Sequence, residues 1–176
     1  MTDKERISEW FHQYSDDVYH FLIYRVGFHE AEDLLQEVYI RAWKNIDLFE
    51  WQSNPKTWLL SIARHLAVDE YRIKKKSIWK KMISFESKHE TKSVVSPESI
   101  FEWNEEKANI YLGIQSLKEN YRDVLILRGI QELSVRDTAE ALQWSENKVR
   151  LTYFRAKDAL RKNLERGMYR ETSSQG

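Results

Sequence analysis

The sequence predicts an all-α protein built as two small helical domains joined by a flexible linker, and three observations carry that expectation. Its 176 residues include only five Gly and two Pro, too little turn-forming material for a protein rich in hairpins. Apolar residues recur at spacings of three and four over long stretches, the period of an amphipathic helix. Between about Lys74 and Glu105 that period weakens, Lys and Ser become frequent, and Ser96-Pro97 interrupts any helix. A chain of this length is comfortable as two small domains, and seven Trp with seven Phe supply each with bulky side chains to bury. The expected division is residues 1–80, a linker over 81–104, and a second domain over 105–170.

The first helix is expected from about Lys4 to Val26, with Ile7, Trp10, Phe11, Tyr14, Val18, Phe21, Leu22 and Tyr24 as its stripe. Gly27 suits its end, because Gly tolerates the backbone that follows a helix. A second helix, about Glu30 to Ile46, turns Leu34, Leu35, Val38, Ala42, Trp43 and Ile46 inward. Its acids Glu30, Glu32 and Asp33 fall in the first turn, where the helix dipole favours negative charge. Asp47 to Asn54 reads as a loop, and Asn54-Pro55 pairs an N-cap with proline at the first helical position. The third helix, Pro55 to about Lys76, points Trp58, Leu59, Ile62, Leu66 and Ile73 at the core. Beyond the linker, helices are expected over about Trp103–Leu117 and Tyr121–Gly129.

From Ser134 onward the chain reads as a helix-turn-helix. Ala139 and Leu142 face inward from a short helix, Gln143-Trp144-Ser145 makes the turn, and Ser145 is a good N-cap for the next helix. That helix carries Val149, Tyr153, Ala156 and Leu160 as a packing stripe, with Lys148, Arg150, Arg155, Lys157, Arg161 and Lys162 on its other faces. A rod that is apolar on one side and cationic on the rest suits the major groove, which admits one α-helix.

Acids and bases balance at 28 each, but not evenly along the chain. Residues 1–40 hold nine acids against three bases, and residues 41–81 hold ten bases against four acids. Residues 82–133 return to nine acids against six bases, and residues 134–176 to nine bases against six acids. Two basic surfaces separated by acidic stretches imply two contacts with polyanions and separate faces for basic partners; solvated helices that simply vary in charge are the alternative. No Cys means neither a disulfide framework nor a thiolate metal site. With no bilayer-length apolar run and no signal-peptide pattern at Met1–Glu5, the chain is expected to be soluble and cytosolic.

Candidate contacts follow from residue type. Arg150, Leu151, Phe154 and Arg155 lie on the face away from the packing stripe, where Arg can pair with guanine and an apolar group can meet a thymine methyl. Lys148, Lys157 and Arg161 are suited to phosphate, which positions without specifying. Phe49 and Trp51 precede a cationic helix carrying Arg64, His65, Arg72 and Lys74–Lys76, a combination that suits unstacked single-stranded bases; closure of the local core by the two aromatics is the competing reading. Asp33, Gln36 and Glu37 form a polar face able to dock on a basic protein surface, or an ordinary solvated face. Two Glu-x-x-His pairs, Glu9…His12 and Glu86…His89, resemble half of a di-iron bundle, but two further inward carboxylates are missing and chance explains them better. His20, His29 and His65 lack ligand spacing. No metal, cofactor or catalytic residue is expected, since no Gly-rich nucleotide loop or catalytic constellation is visible.

Two segments, Glu30–Trp43 and Thr57–Asp69, resemble region 2 of the extracytoplasmic-function sigma factors of the sigma-70 family. Tyr121–Arg128 and the helix-turn-helix with Val149–Ala156 resemble region 4, with Ser96-Pro97-Glu98 in the linker between. Within that family, Ser61–Ala67 and Ser145–Arg150 look closest to its SigX-like branch. The resemblance implies a dissociable, non-enzymatic specificity subunit of bacterial RNA polymerase that directs promoter recognition, melting and initiation in a cell-envelope stress response. It places docking on a coiled coil of the largest core subunit at Asp33, Gln36 and Glu37, and gives region 4 the polymerase flap as a partner. Capture of a melted minus-ten base falls to the Phe49–Asn54 loop, Trp51 and Asn54 included, with Arg64, His65 and Arg72 adding contacts. Reading of the minus-thirty-five element falls to Lys148, Arg150, Leu151, Phe154, Arg155 and Lys157. A membrane-anchored anti-sigma factor is the expected inhibitor, holding this cytoplasmic protein at the membrane. Three positions depart from the family pattern: Gln143 stands where a turn Gly is usual, Thr152 where Arg is common, and Trp51 where a small residue is common. The last leaves the preferred melted base open. A polymerase-independent helix-turn-helix regulator is the remaining alternative.

Overall fold

The computed structural model describes residues 1–83 and 103–174, with side chains described as far as Gly167. The chain divides into two units, Met1–Pro97 and Glu98–Gly176, and among the described residues every regular element is helical.

In the first unit, α1 (Asp3–Val26), α2 (Phe28–Lys44) and α3 (Pro55–Ile83) pack pairwise into a three-helix bundle. A reciprocal capping box starts α1. The Thr2 hydroxyl accepts from the Glu5 backbone N–H at 3.3 Å, and the Thr2 N–H donates to the Glu5 carboxylate at 2.7 Å. Gly27 alone joins α1 to α2, at φ 92° and ψ 172°, a backbone region essentially confined to glycine. Val18, Phe21 and Leu22 of α1, Val38 and Ala42 of α2, and Leu59, Leu60 and Ala63 of α3 are fully buried. The Tyr39 hydroxyl donates to the Trp10 carbonyl at 3.2 Å, and burial, with the nearby Asp17 and Tyr14, holds that phenol well above the ordinary tyrosine range. An ion pair between Lys74 and Glu30 ties α3 to α2.

Three residues expected in the core are not there. Phe11 is 43% exposed, Trp43 58% and Ile73 63%. Each helix of a three-helix bundle meets only two neighbours, so the buried arc is narrower than the apolar arc of the sequence. For Ile73 the reason is also axial, because burial on α3 ends at Ala67 while the helix continues past the expected Lys76 to Ile83. Lysines in its last turns are good helix formers and complement the dipole.

The second unit contains α4 (Glu105–Gln115), α5 (Glu119–Leu125), a π-helical turn (Ile126–Ile130), α6 (Val135–Leu142) and α7 (Glu146–Ser174). Asn104 caps α4, its side chain accepting from the Lys107 N–H at 2.8 Å. Tyr111, Ile114, Val124, Ile126, Leu127, Val149 and Ala156 form the core. At Gly113 the helices α4 and α7 come close, since a Cβ there would stand 2.8 Å from Leu160 Cδ1. The π turn departs from the plain helix expected over Tyr121–Gly129. It ends with Gln131 N–H donating to the Ile126 carbonyl at 2.8 Å and Glu132 at φ 55°. Of the expected linker, residues 81–83 continue α3, Trp103 packs its ring 5.5 Å from that of Tyr111, and Asn104 caps α4. Residues 84–102, with Ser96-Pro97 and the Glu86…His89 pair, lie outside the described residues.

Candidate nucleic-acid interface

Local chemistry fixes the helix-turn-helix. The Ser134 hydroxyl accepts from the Asp137 N–H at 2.9 Å to start α6. The Ser145 hydroxyl accepts from the Lys148 N–H at 3.1 Å to start α7, as an N-cap should. Between them Gln143 adopts φ 56°, ψ 42°, the left-handed conformation that a glycine would take without strain. Trp144 N–H then closes the turn on the Ala139 carbonyl at 3.0 Å. Gln143 therefore makes the turn in the conformation usual for a glycine.

Val149 and Ala156 seal one side of α7 against the core, both with no exposed surface. On the opposite side Arg150, Leu151, Phe154 and Arg155 are all exposed, Phe154 to 72%. Lys148 and Lys157 flank them, each laid over a ring. Lys148 Nζ stands 4.2 Å from the Trp144 ring centre, and Lys157 Nζ 4.4 Å from that of Tyr153. Arg150 is paired with Glu146 at 3.1 Å, whereas among the described residues Arg155 has no carboxylate partner. Farther along, Asp158 accepts from Arg161 at 2.8 Å and Lys162 at 2.9 Å. Hydrogen bonds from Lys162 and then Arg161 hold the Asp158 carboxyl below its usual range. That carboxylate engages both bases, and Glu165 also pairs with Arg161 at 2.9 Å.

The first unit presents a second surface. The Asn54 side chain accepts from the Lys56 N–H at 2.9 Å, and its carbonyl accepts from the Trp58 N–H at 3.1 Å, so Asn54 caps α3 as the sequence suggests. Phe49 and Trp51 part company here. Phe49 is 4% exposed, in edge or tilted contact with Trp10, Trp51 and Trp58 at 4.9–5.2 Å between ring centres. The expectation that it meets a base is corrected: its ring faces are taken by the aromatic cluster. Trp51 stands nearly perpendicular to it and remains 60% exposed. The α3 residues also separate. His65 and Arg72, seven apart, share the exposed face that continues from Trp58, while Arg64 lies a third of a turn away, half-buried. A cleft of about 250 Å³ opens on that face, lined by Arg41, Asn45, Leu48, Trp58, Ile62 and His65.

On α2, Asp33 and Gln36 are exposed, and Glu37 is half-buried and paired with Arg41 at 3.0 Å. Ile40 and Trp43, 43% and 58% exposed, extend this face toward the helix end. Trp43 reads as core in the sequence, so this surface is more apolar than the acids alone suggest. Other side chains also escape a reading by motif. Arg6 of α1 lies over the Trp51 ring at 4.2 Å, a contact across 45 positions that no local pattern signals. Among the described residues no group of three or more His, Cys, Asp or Glu side chains is arranged to hold a metal ion, and none of the described helices is long and apolar enough to cross a membrane.

Residues 10–77 match the family described as sigma-70 region 2, and residues 107–160 match sigma-70, region 4. The chain is 39% identical over 156 residues to the ECF RNA polymerase sigma factor SigX of Bacillus subtilis (strain 168), covering 86% of this chain and 80% of that protein. It is 33% identical over 170 residues to SigW of the same organism, covering 92% and 90%. Among solved structures it is similar to the sigma factor RpoE in complex with the anti-sigma factor NepR from Bartonella quintana. There the TM-score is 0.73 at 21% identity, covering 92% of this chain and 98% of that one. CnrH in complex with the cytosolic domain of CnrY gives a TM-score of 0.69 at 18% identity, covering 92% and 89%. At those identities the two structures speak for the fold.

Proposed function

The chain belongs to the extracytoplasmic-function sigma factors of the sigma-70 family, which direct RNA polymerase to promoters, and from that premise we propose which of its surfaces performs each step. The α7 face reads the minus-thirty-five element. Arg150 and Arg155 can each pair bidentately with guanine, and Leu151 and Phe154 can meet thymine methyl groups. Lys148 and Lys157 hold the flanking phosphates and set the register. The observation that carries this reading is that two large apolar side chains stand exposed between two arginines, opposite the sealed Val149/Ala156 side. Solvation alone gives no reason to expose Phe154.

At the minus-ten element Trp51 captures the extruded base, with Phe49 as its buried support and Asn54 fixing the loop to α3. His65 and Arg72 follow the melted strand along α3, and Arg64 acts from the side of that track. Extruding a base costs a few kcal/mol, and stacking on an aromatic ring returns about 1–3 kcal/mol. Melting is therefore nearly balanced, and the contacts of the other surface tip it. Asp33, Gln36 and Glu37, with Ile40 and Trp43 beside them, dock on the coiled coil of the largest polymerase subunit, and the second unit meets the flap. Two readers fixed at one spacing by the polymerase gain from effective concentration. Neither needs to bind tightly alone, in keeping with a net charge of zero.

The subunit itself contributes no bond-making chemistry in this scheme. The similar RpoE structure holds an anti-sigma factor, NepR, and a membrane-anchored anti-sigma factor controlling a cytoplasmic sigma factor in an envelope-stress response is the regulation we propose. The test is run-off transcription with purified core polymerase on genomic fragments, followed by mapping of RNA 5′ ends. Ends that share one upstream and one minus-ten element, and vanish without this protein, support the reading. Ends with no shared element would reject it.

A further inference from the structure

We propose that Arg6, at the first turns of α1, is a positioning residue for base capture, clamping Trp51 so that the indole is set in place before the promoter opens. The inference rests on the base-capturing role given to Trp51 above. Arg6 places its guanidinium 4.2 Å from the Trp51 ring centre, and a planar, weakly hydrated guanidinium is the cation best suited to lie on an aromatic face.

The clamp is itself held. Arg6 Nη1 donates to Asp3 at 3.3 Å. The turn that carries both is locked by the Thr2–Glu5 capping box, with bonds of 2.7 and 3.3 Å. On the loop side the Trp51 ring stands nearly perpendicular to that of Phe49, ring centres 5.1 Å apart and planes at 87°, with the Trp10 ring centre 6.4 Å away. A guanidinium and buried rings thus flank the indole, yet 60% of the residue stays exposed. The exposed part of the ring is the place for a base, with the guanidinium holding the indole in position.

An exposed tryptophan on a loop would otherwise lose side-chain freedom at the moment of capture, and that loss would weaken binding. Arg6 moves the ordering to folding. The covering cation needs no new contact with DNA, so it acts through Trp51 alone.

The test uses the full chain with core polymerase on a duplex promoter carrying 2-aminopurine at the melted position, with the variants Arg6→Gln, Arg6→Lys, Trp51→Ala and the Arg6→Gln/Trp51→Ala double. An exposed cation–π contact corresponds to about a two- to fivefold change in an equilibrium. We therefore expect Arg6→Gln to lower the open-complex fraction ratio by that factor, Arg6→Lys to retain part of the wild-type value, and Arg6→Gln to have no further effect once Trp51 is Ala. Upstream-element binding should stay at the wild-type value throughout. A loss from Trp51→Ala with none from Arg6→Gln would overturn the clamp and leave base capture standing. Wild-type opening by Trp51→Ala would overturn base capture and the clamp with it. An Arg6→Gln loss that persists in the double variant would mean that Arg6 acts on DNA by itself, and would also overturn the clamp.

Discussion

Gln143 offers a prediction whose sign can be worked from one backbone angle pair. At φ 56°, ψ 42° it occupies the left-handed region, which costs an L-residue about 1–2 kcal/mol. Replacing it by Gly removes that strain, while the extra freedom of Gly in the unfolded chain takes back about 0.4–1 kcal/mol. The Gln143 side chain is exposed, so little packing is lost. Gln143→Gly should therefore stabilise the second unit by about 0.5–1 kcal/mol, or roughly 3–6 °C in Tm for a unit of this size. Gln143→Val should do the opposite by about 1 kcal/mol or more, because a β-branched residue is a genuine outlier at positive φ. Calorimetry of the full chain measures both, with the second unit's transition identified as the one that Leu127→Ala lowers, since Leu127 is fully buried there. Upstream-element binding should be unchanged in the Gly variant, whose turn keeps its geometry. A Gln143→Gly transition at or below the wild-type temperature would refute the reasoning, since the strain would then be absent.

Arg155→Ala should weaken minus-thirty-five binding in the holoenzyme by about 1–3 kcal/mol and relax specificity at one base pair, measured by competition with single-base promoter variants. Arg150 must first leave Glu146, so Glu146→Gln should tighten binding to the same element in the same assay. Asp33→Arg should reduce core affinity at least tenfold in a fluorescence competition, through like-charge repulsion, with a smaller effect from Glu37→Gln because Glu37 is already engaged by Arg41. Phe49→Ala should cost about 3–5 kcal/mol of first-unit stability as a buried aromatic, whereas Trp51→Ala should cost far less stability and act mainly on promoter opening; paired calorimetry and opening assays separate the two.

Helix identities and the helix-turn-helix were legible because they depend on short-range chemistry. Ser145, Asn54-Pro55 and Gly27 mark ends through their own side chains or lack of one, and the structure uses each of them at the expected place. Which apolar residue faces inward was less legible. Trp43 directly follows the buried Ala42 and belongs to the same sequence stripe, but the width of the buried arc is set by how many helices surround α2, a tertiary quantity. The same holds for Ile73, whose exposure follows from where the bundle stops along α3. The π turn after Leu125 leaves no mark in the apolar period, since one extra residue per turn is absorbed within Ile126–Ile130. At the candidate interface, the α7 face could be read from the recognition-helix pattern alone. The different fates of Phe49 and Trp51 could not, because they turn on Trp10 and Trp58, from two other helical segments, converging on one ring.

The central claim is that two modest DNA-reading surfaces become a promoter-specific device only when polymerase fixes their spacing. The most direct test is the affinity of the purified full chain for one duplex promoter, measured with and without core enzyme at physiological salt. The account predicts weak, sequence-indifferent binding alone and tight binding in the complex that demands both promoter elements. Tight, sequence-specific binding by the isolated chain would contradict it.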